Sequence, residues 1–219
     1  FSLTMQEATT KLLERMLFTS SRPDASSHGC VVAIDKKHAV SYRHGRHSSL
    51  GKDQNVMLYN VWDQTVQYET VVLAFSDPLD VIVFKLLAGE FSYYPRAPGS
   101  IYCGQSYLQL GVNPRRQPTW NGGTISEKKV GFYYGTSHGK NGDSGSGIFD
   151  YNGDFLGISI AKKSFKFVNP QNMTIEEIAD HHPDTQIISS DSIWAVSGIV
   201  DPDFEPAEKK HASDTVVTQ

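Results

Sequence analysis

The chain has 219 residues, a formal net charge of −4 and 39% apolar residues. The slightly acidic balance argues against a nucleic-acid partner, and the lack of a run of about 18 uncharged apolar residues argues against a membrane partner. Cys30 and Cys103 are too few for the disulfide framework of a small secreted domain, so we expect an intracellular protein, from the cytoplasm or nucleus. The first residue is Phe rather than Met, so we expect an excised or processed piece.

The N-terminal segment has the pattern of an amphipathic helix. From Thr4 to Phe18, apolar residues recur every three or four positions. A polar stretch that ends at Pro23 then interrupts the pattern. The sequence therefore predicts an N-terminal helix within residues 1–22.

After residue 23 the pattern changes to short stretches rich in β-branched and aromatic residues, separated by turn-forming pairs. The predicted strands are Cys30 to Ile34, His38 to Tyr42, Asn55 to Val61, Thr65 to Phe75, Val81 to Leu87, Ile101 to Leu110, Thr124 to Tyr134, Gly147 to Phe149, Phe155 to Ile160 and Ile193 to Ile199. Many short strands with helix only at the edges predict an all-β barrel or sandwich.

Three segments punctuate this pattern. Gly111 to Asn121 holds two prolines and two arginines, and we expect it to join two halves of the fold. Residues 173–182 (MTIEEIADHH) predict a short helical insert near the C-terminus. Residues 201–219 lose apolar content and predict a flexible tail.

The stretch NGDSGSGIF, residues 141–149, sets one serine among glycines. Gly142, Gly145 and Gly147 can take backbone conformations that other residues avoid, and they let another segment approach closely. We therefore expect a sharp loop that holds Ser144 outward. That position suits a nucleophile.

A serine hydroxyl needs a neighbouring base before it attacks. His44 stands where the strand His38 to Tyr42 gives out, which is a fixed position for a base. Asp80 begins the apolar segment DVIVFKL, where a carboxylate is expected to be short of water and to need a hydrogen-bond donor such as an imidazole N–H. Asp77 and Asp63 are alternatives to Asp80 as the group that orients the histidine.

These three segments resemble those of the chymotrypsin-like, or trypsin-like, serine proteases (the PA clan). Residues 40–45 (VSYRHG) are similar to the family's Thr-Ala-Ala-His-Cys segment, residues 80–86 to its Asp-Ile-Ala-Leu-Leu-Lys-Leu, and residues 142–146 to its Gly-Asp-Ser-Gly-Gly. The order His, Asp, Ser is that of chymotrypsin. The resemblance covers roughly Gly29 to Ile160, and only the serine motif is specific by itself.

The resemblance implies an all-β fold of two packed antiparallel six-stranded barrels, over residues 23–111 and 112–200. It also implies a serine endopeptidase that acts on protein or peptide substrates without a cofactor or metal. By this resemblance, Ser144 of this chain would attack the scissile carbonyl, His44 would transfer the proton and Asp80 would orient the imidazole. The backbone N–H groups of Gly142 and Ser144 would form the oxyanion hole.

The same resemblance places His138 at the base of the substrate pocket, with Ser159 and Lys162 as its walls. Trypsins carry an aspartate at the position of His138, so a preference for Arg or Lys is not implied.

The chain departs from the family at three places. Gly45 follows His44 where the family has a disulfide-bonded cysteine, which favours an intracellular, HtrA-like or viral-like relative. Phe1 to Leu3 do not resemble the freed N-terminus that activates digestive members. Tyr42 and Arg43 replace two alanines beside His44.

Other functions stay open at this point. The fold could serve as a catalytically silent, protein-binding scaffold, or as an esterase-like hydrolase. A metal site is disfavoured because its candidate ligands have no compact spacing. Those candidates are His28, His38, His44, His47, His181 and His182.

Overall fold

The computed structural model describes residues 5–137, 144–160 and 184–200. Within them the chain forms two closed six-stranded antiparallel β-barrels, which confirms the implied fold. Two α-helices accompany the barrels in this part of the chain.

The first barrel is built from the N-terminal half of the chain. Helix α1 (Glu7–Glu14) precedes its strands, which are β1 (Leu17–Thr19), β2 (Cys30–Ala33), β3 (His38–Tyr42), β4 (Asn55–Asn60), β5 (Gln67–Ser76) and β6 (Val81–Leu86). Their order around the barrel is β1-β2-β3-β6-β5-β4. A single 3-10 turn, Gly45–His47, follows β3.

The second barrel is built from the C-terminal half. Its strands are β7 (Ser106–Val112), β8 (Pro118–Lys129), β9 (Phe132–Gly135), β10 (Gly147–Phe149), β11 (Phe155–Ile160) and β12 (Thr185–Ser189), followed by helix α2 (Ser190–Ser197). Their order around the barrel is β10-β11-β12-β9-β8-β7.

Strands β2 and β11 are buried along their whole length, and β6 is buried except at Lys85. These strands have little polar alternation because one face fills a barrel interior while the other is covered by neighbouring elements. Helix α2 supplies part of that cover, since it contacts β5 and β6 of the first barrel and β11 and β12 of the second. The two barrels therefore share one continuous apolar contact region.

The N-terminal helix is shorter than predicted. It ends at Glu14, and Leu17 and Phe18 belong to strand β1. Phe18 pairs with Val31 on one side and with Asn60 on the other, so this short strand closes the first barrel. The apolar helical spacing continues into β1 because these side chains must also be buried.

The predicted strand Ile193 to Ile199 is wrong, because most of it lies in helix α2. Ser189 caps the helix by accepting a hydrogen bond from the Ser192 N–H, and Gly198 ends it in the left-handed conformation at φ 70°. These end signals outweigh the β-branched residues in between.

Gly111 to Asn121 does not join the two barrels. It forms the end of β7, a turn and the start of β8, with Val112 paired to Pro118. The expected barrel boundary at residue 111 thus falls inside β7. Residues 87–105 make the connection instead.

The predicted helical insert and the predicted C-terminal tail lie outside the described residues. None of the helices in the described ranges has the length and apolar character needed to cross a membrane.

Candidate active site

The pairing of β3 with β6 brings His44 and Asp80 together. The two strands are antiparallel, and Tyr42 at the end of β3 lies opposite Val81 at the start of β6. The residues just beyond these strand ends are therefore neighbours in space, although 36 positions separate them.

A hydrogen bond joins the two side chains. The Nδ1 of His44 lies 2.7 Å from Oδ2 of Asp80. The other carboxylate oxygen accepts the backbone N–H groups of His44 at 2.7 Å and of Arg43 at 3.0 Å. Asp80 itself has φ 55°, a left-handed conformation that aspartate adopts more readily than most residues. The carboxylate is thus held by three donors.

The electrostatics of the pair favour an ionised carboxylate. Burial raises the pKa of Asp80, but the hydrogen bonds from the His44 side chain and from the backbone of His44 and Arg43 outweigh burial, so the pKa falls below its ordinary value. An ionised Asp80 requires Nδ1 of His44 to carry a proton, which leaves Nε2 of the neutral ring as the basic atom. The His44 side chain is 42% exposed, so that atom can be reached.

The two alternative carboxylates have other partners. Asp77 accepts a hydrogen bond from Nε of Arg43 at 2.8 Å. Asp63 accepts the N–H and hydroxyl of Thr65. Of the three candidates, Asp80 is the one that is bonded to His44.

The segment that carries Ser144 packs directly on the first barrel. A Cβ atom added at Gly145 would lie 2.4 Å from the carbonyl oxygen of Cys30 and 3.0 Å from the ring of Tyr42. That Tyr42 ring in turn lies 4.5 Å, centroid to centroid, from the imidazole of His44. The backbone of Ser144 therefore borders the end of β3 that holds His44.

Within the described residues, no hydrogen bond joins Nε2 of His44 to Oγ of Ser144. The position of Ser144 is set by the main chain instead: the Gly145 N–H donates to the Ser159 carbonyl at 2.8 Å, and the Ser159 N–H donates to the Ser146 carbonyl at 2.9 Å.

The remaining predicted site residues are only partly within the described chain. Ser159 is 2% exposed, and its hydroxyl lies 3.4 Å from Nε2 of Gln109. Its main chain supports the Ser144 segment. His138, Gly142 and Lys162 lie outside the described residues, so the pocket and the oxyanion hole remain predictions.

Arg43 has a structural role that its sequence context does not indicate. Its side chain is 9% exposed, and its guanidinium lies 4.0 Å from the centre of the Phe75 ring. It donates to Asp77, to the carbonyl of Leu50 at 2.7 Å and to the carbonyl of His47. Arg43 thereby fastens the loop that follows His44.

His47 fastens the same loop from the other side. It is 1% exposed, its Nδ1 donates to the Tyr42 carbonyl at 2.7 Å, and its Nε2 accepts from the hydroxyl of Ser20 at 2.6 Å. Burial lowers the pKa of His47 to about 4, so the ring is neutral. The loop after His44 is held by Arg43 and His47 in a chain that has Gly45 where the family has its disulfide.

No group of three or more His, Cys, Asp or Glu residues suited to a metal ion occurs in the described ranges. His38 pairs with Asp35 at 2.8 Å, and His28 donates to the carbonyl of Asn113 at 2.7 Å. His181 and His182 lie outside those ranges.

Comparison with known proteins places this geometry in a known fold. No family model matches the chain, and no curated protein matches it. Solved structures do match, with low sequence identity. The active form of the Rv3671c protease from M. tuberculosis is 16% identical with a TM-score of 0.61, over 91% of this chain and 90% of that one.

Two further solved structures are similar to this chain in fold. The MamO protease domain from Magnetospirillum magneticum is 12% identical with a TM-score of 0.63, over 85% of this chain and 97% of that one. A serine endoprotease from Yersinia pestis is 13% identical with a TM-score of 0.65, and the match covers 87% of this chain and 64% of that one. The chain has the fold of the chymotrypsin-like serine proteases.

Proposed function

We propose that this chain is a serine endopeptidase that cleaves peptide bonds through an acyl-enzyme, with Ser144 as nucleophile, His44 as general base and Asp80 as the orienting carboxylate. The observation that carries the proposal is the 2.7 Å bond between His44 and Asp80, which lies at the strand end that the Ser144 segment contacts. The protease fold of the similar structures supports it.

The chemistry follows from the protonation state of the pair. Nε2 of His44 takes the proton of the Ser144 hydroxyl as Oγ attacks the scissile carbonyl carbon, and the imidazolium then donates that proton to the leaving amine. Asp80 keeps Nδ1 protonated and stabilises the imidazolium. Water attacks the acyl-enzyme in the second half-reaction, again with His44 as base.

The negative charge on the tetrahedral intermediate needs donors. The backbone N–H groups of Gly142 and Ser144 are assigned to this oxyanion hole, and His138, Ser159 and Lys162 to the pocket that selects the substrate side chain. In related chemistry, loss of one oxyanion donor raises the barrier by about 3 to 4 kcal/mol. The substrates are proteins or peptides, and an intracellular setting is part of the same proposal.

A serine-directed fluorophosphonate tests the nucleophile. We expect the purified chain to be labelled covalently and the Ser144→Ala variant to remain unlabelled. Ser100→Ala is the matched control, because Ser100 is exposed and, among the described residues, its hydroxyl makes no hydrogen bond. Equal labelling of wild type and Ser144→Ala would overturn the assignment. Cleavage of a peptide library, compared with hydrolysis of simple esters, separates a peptidase from an esterase-like hydrolase.

One observation favours a second function, a catalytically silent protein-binding scaffold. His44 and Ser144 are not hydrogen-bonded to each other within the described residues, although catalysis needs the two atoms within reach. A folded chain that binds peptides, resists labelling and leaves every library peptide intact would be this scaffold rather than a protease.

A further inference from the structure

A cavity lies at the other end of the first barrel from His44 and Asp80. It has a volume of about 220 Å³, and its walls include Arg15, Phe18, Trp62, Tyr68 and Tyr93. The neighbouring Phe91 donates its N–H to the carbonyl of Lys36, in the turn that precedes β3. His44 follows the opposite end of β3, so the length of that strand separates the cavity from the candidate active site.

Arg15 places a positive charge in this cavity. Its guanidinium carbon lies 4.9 Å from the centre of the Trp62 ring and 5.1 Å from that of Tyr93, and Nη1 donates to the Tyr93 hydroxyl at 3.0 Å. Among the described residues, no carboxylate lies within ion-pair distance of Arg15, and Nε and Nη2 make no hydrogen bond. A half-buried guanidinium with unused donors is set to bind an anion.

The wall of the cavity is held in place before any ligand arrives. Nδ2 of Asn60 donates to the carbonyl of Arg15 at 3.0 Å, and Oδ1 of Asn60 accepts the N–H groups of Trp62 and Asp63, each at 3.0 Å. One side chain thus ties the segment that carries Arg15 to the turn that carries Trp62. A preformed site spends less binding energy on ordering its own side chains.

The shape and charge of the cavity restrict its ligand. Aromatic faces beside the guanidinium suit an apolar or aromatic group, and the fork of donors matches a carboxylate. Asp63 also lines the cavity, and hydrogen bonds from Thr65 lower the pKa of Asp63, so it is ionised. The negative charge of Asp63 repels a phosphate dianion more strongly than it repels a carboxylate, which carries a single charge. The cavity therefore favours a carboxylate over a phosphate.

We propose that this cavity binds a carboxylate attached to an aromatic or branched apolar group, with Arg15 pairing to the carboxylate and Trp62 covering the apolar part. Either a small organic acid or the C-terminal residue of a peptide presents this chemistry. The cavity holds one such group.

Titration of the whole chain with phenylacetate and with an acetylated tetrapeptide that ends in phenylalanine tests the site. Binding is followed by NMR of the Arg15 guanidinium and Trp62 indole N–H signals. We expect saturable shifts of both signals with at least one probe. The preferred probe identifies the source of the carboxylate, and the C-terminally amidated tetrapeptide should not bind.

Three variants complete the experiment. Arg15→Gln should weaken binding by about tenfold or more, since a charged hydrogen bond is lost. Arg22→Gln is the matched control because Arg22 is exposed and pairs with Asp24. If Arg15→Gln does not fold, Trp62→Ala, at a side chain that is 51% exposed, replaces it and should weaken binding severalfold.

Three outcomes would overturn the proposal: no shift with either acid, equal binding of the amidated peptide, or unchanged affinity in the cavity variants. Fluorophosphonate labelling of Ser144 is independent of all these results, so failure here and failure of the proposed protease function are distinguishable.

Discussion

Among single residues, Asp80 makes the contacts on which the proposed mechanism depends. Its carboxylate accepts three hydrogen bonds, from the His44 ring and from the backbone of His44 and Arg43. Two of these fix the carboxylate and one fixes the ring. The sequence predicted this partnership, since an aspartate at the start of an apolar strand needs a donor. It favoured Asp80 and left Asp77 and Asp63 as alternatives, which have other partners in the fold.

Asp80→Asn tests the partnership. Asparagine also tolerates the left-handed backbone at this position and can still accept the two backbone N–H groups. It would present an N–H group to Nδ1 of His44 and so favour the wrong tautomer. We expect kcat for peptide cleavage to fall by about 10⁴-fold, the loss seen for this change in the best-known triad.

Asp77→Asn is the control for that measurement, because the Asp77 side chain is 71% exposed and contacts Arg43 rather than His44. A loss below tenfold in Asp80→Asn, in a variant with an unchanged circular dichroism spectrum, would remove Asp80 from the mechanism.

His47 should make the stability of the fold depend on pH. Burial lowers its pKa from 6.5 to about 4, so as the pH falls the unfolded chain takes up the proton first. The free energy of unfolding should therefore fall by about 3 kcal/mol between pH 6.5 and 4, and this contribution should be constant below pH 4. Urea unfolding at several pH values measures it.

The comparison for this prediction is His47→Gln, which cannot titrate. The difference in unfolding free energy between wild type and variant should shrink as the pH falls through that window. A difference that is constant from pH 7 to 4 would mean that His47 is not neutral in the folded chain. This role could not be predicted from the sequence, because the hydroxyl of Ser20 and the carbonyl of Tyr42 meet His47 only in the folded chain.

Among the strands and loops, the candidate site depends on where a segment of the second barrel meets two strands of the first. Gly145 has φ 86° and no room for a side chain, since the Cys30 carbonyl and the Tyr42 ring lie against it. The glycines around Ser144 indicated a close approach before the structure was known. The partner of that approach could not be predicted, because it comes from residues more than 100 positions earlier.

Gly145→Ala and Gly104→Ala form a matched pair for this contact. Both glycines have φ 86°, so both substitutions carry the same backbone strain, but a Cβ at Gly104 would meet nothing within 4 Å. We expect Gly145→Ala to lower the free energy of unfolding by roughly 1 to 3 kcal/mol more than Gly104→Ala, the usual cost of overpacking.

Activity should follow the same order, because the clash displaces the residue next to Ser144. We expect kcat/KM to fall at least about tenfold in Gly145→Ala and to stay near wild type in Gly104→Ala. Equal effects of the two substitutions on stability and on activity would show that the contact with the first barrel is unimportant.

Two local predictions were wrong because the same residue types occur in different kinds of structure. Helix α2 contains Ile193, Trp194 and Val196, and these residue types also suit a strand. The cap at Ser189 and the glycine at 198 decide for a helix. Likewise, the prolines and arginines after Val112 fit a hairpin turn as well as a linker, since both require the same residue types.

Across the two barrels, Arg116 makes a set of contacts that helps to hold them together. It lies in the turn between β7 and β8, is 9% exposed, and donates to Thr19 and Ser21 and to the carbonyls of Arg22 and Ala25. A residue of the second barrel therefore satisfies the polar groups of a loop in the first. Sequence order alone could not reveal this contact, although the presence of two halves was predictable.

Arg116→Asn should weaken the coupling between the barrels. Asparagine tolerates the φ of 60° at this position but is too short to reach the loop around Ser21, which leaves buried carbonyls without donors. We expect the free energy of unfolding to fall by about 3 kcal/mol. Arg115→Asn, at the exposed neighbouring position, should have little effect.

Denaturant unfolding followed by far-ultraviolet circular dichroism measures both variants. Ordinary surface substitutions change the free energy of unfolding by less than about 0.5 kcal/mol. A change of that size in Arg116→Asn would show that Arg116 does not stabilise the contact between the barrels.

Each barrel closes on itself with strands from one half of the chain, and in the part of the chain that the structure describes, residues 87–105 connect the two. A polypeptide with this organisation can be severed in that connection without opening either sheet. The two fragments, produced separately, should form the proposed active site only when they associate, because one fragment contains His44 and Asp80 and the other contains Ser144. If each fragment were fused to one of two proteins, binding between those proteins would bring the fragments together, and the resulting peptide cleavage would report the binding.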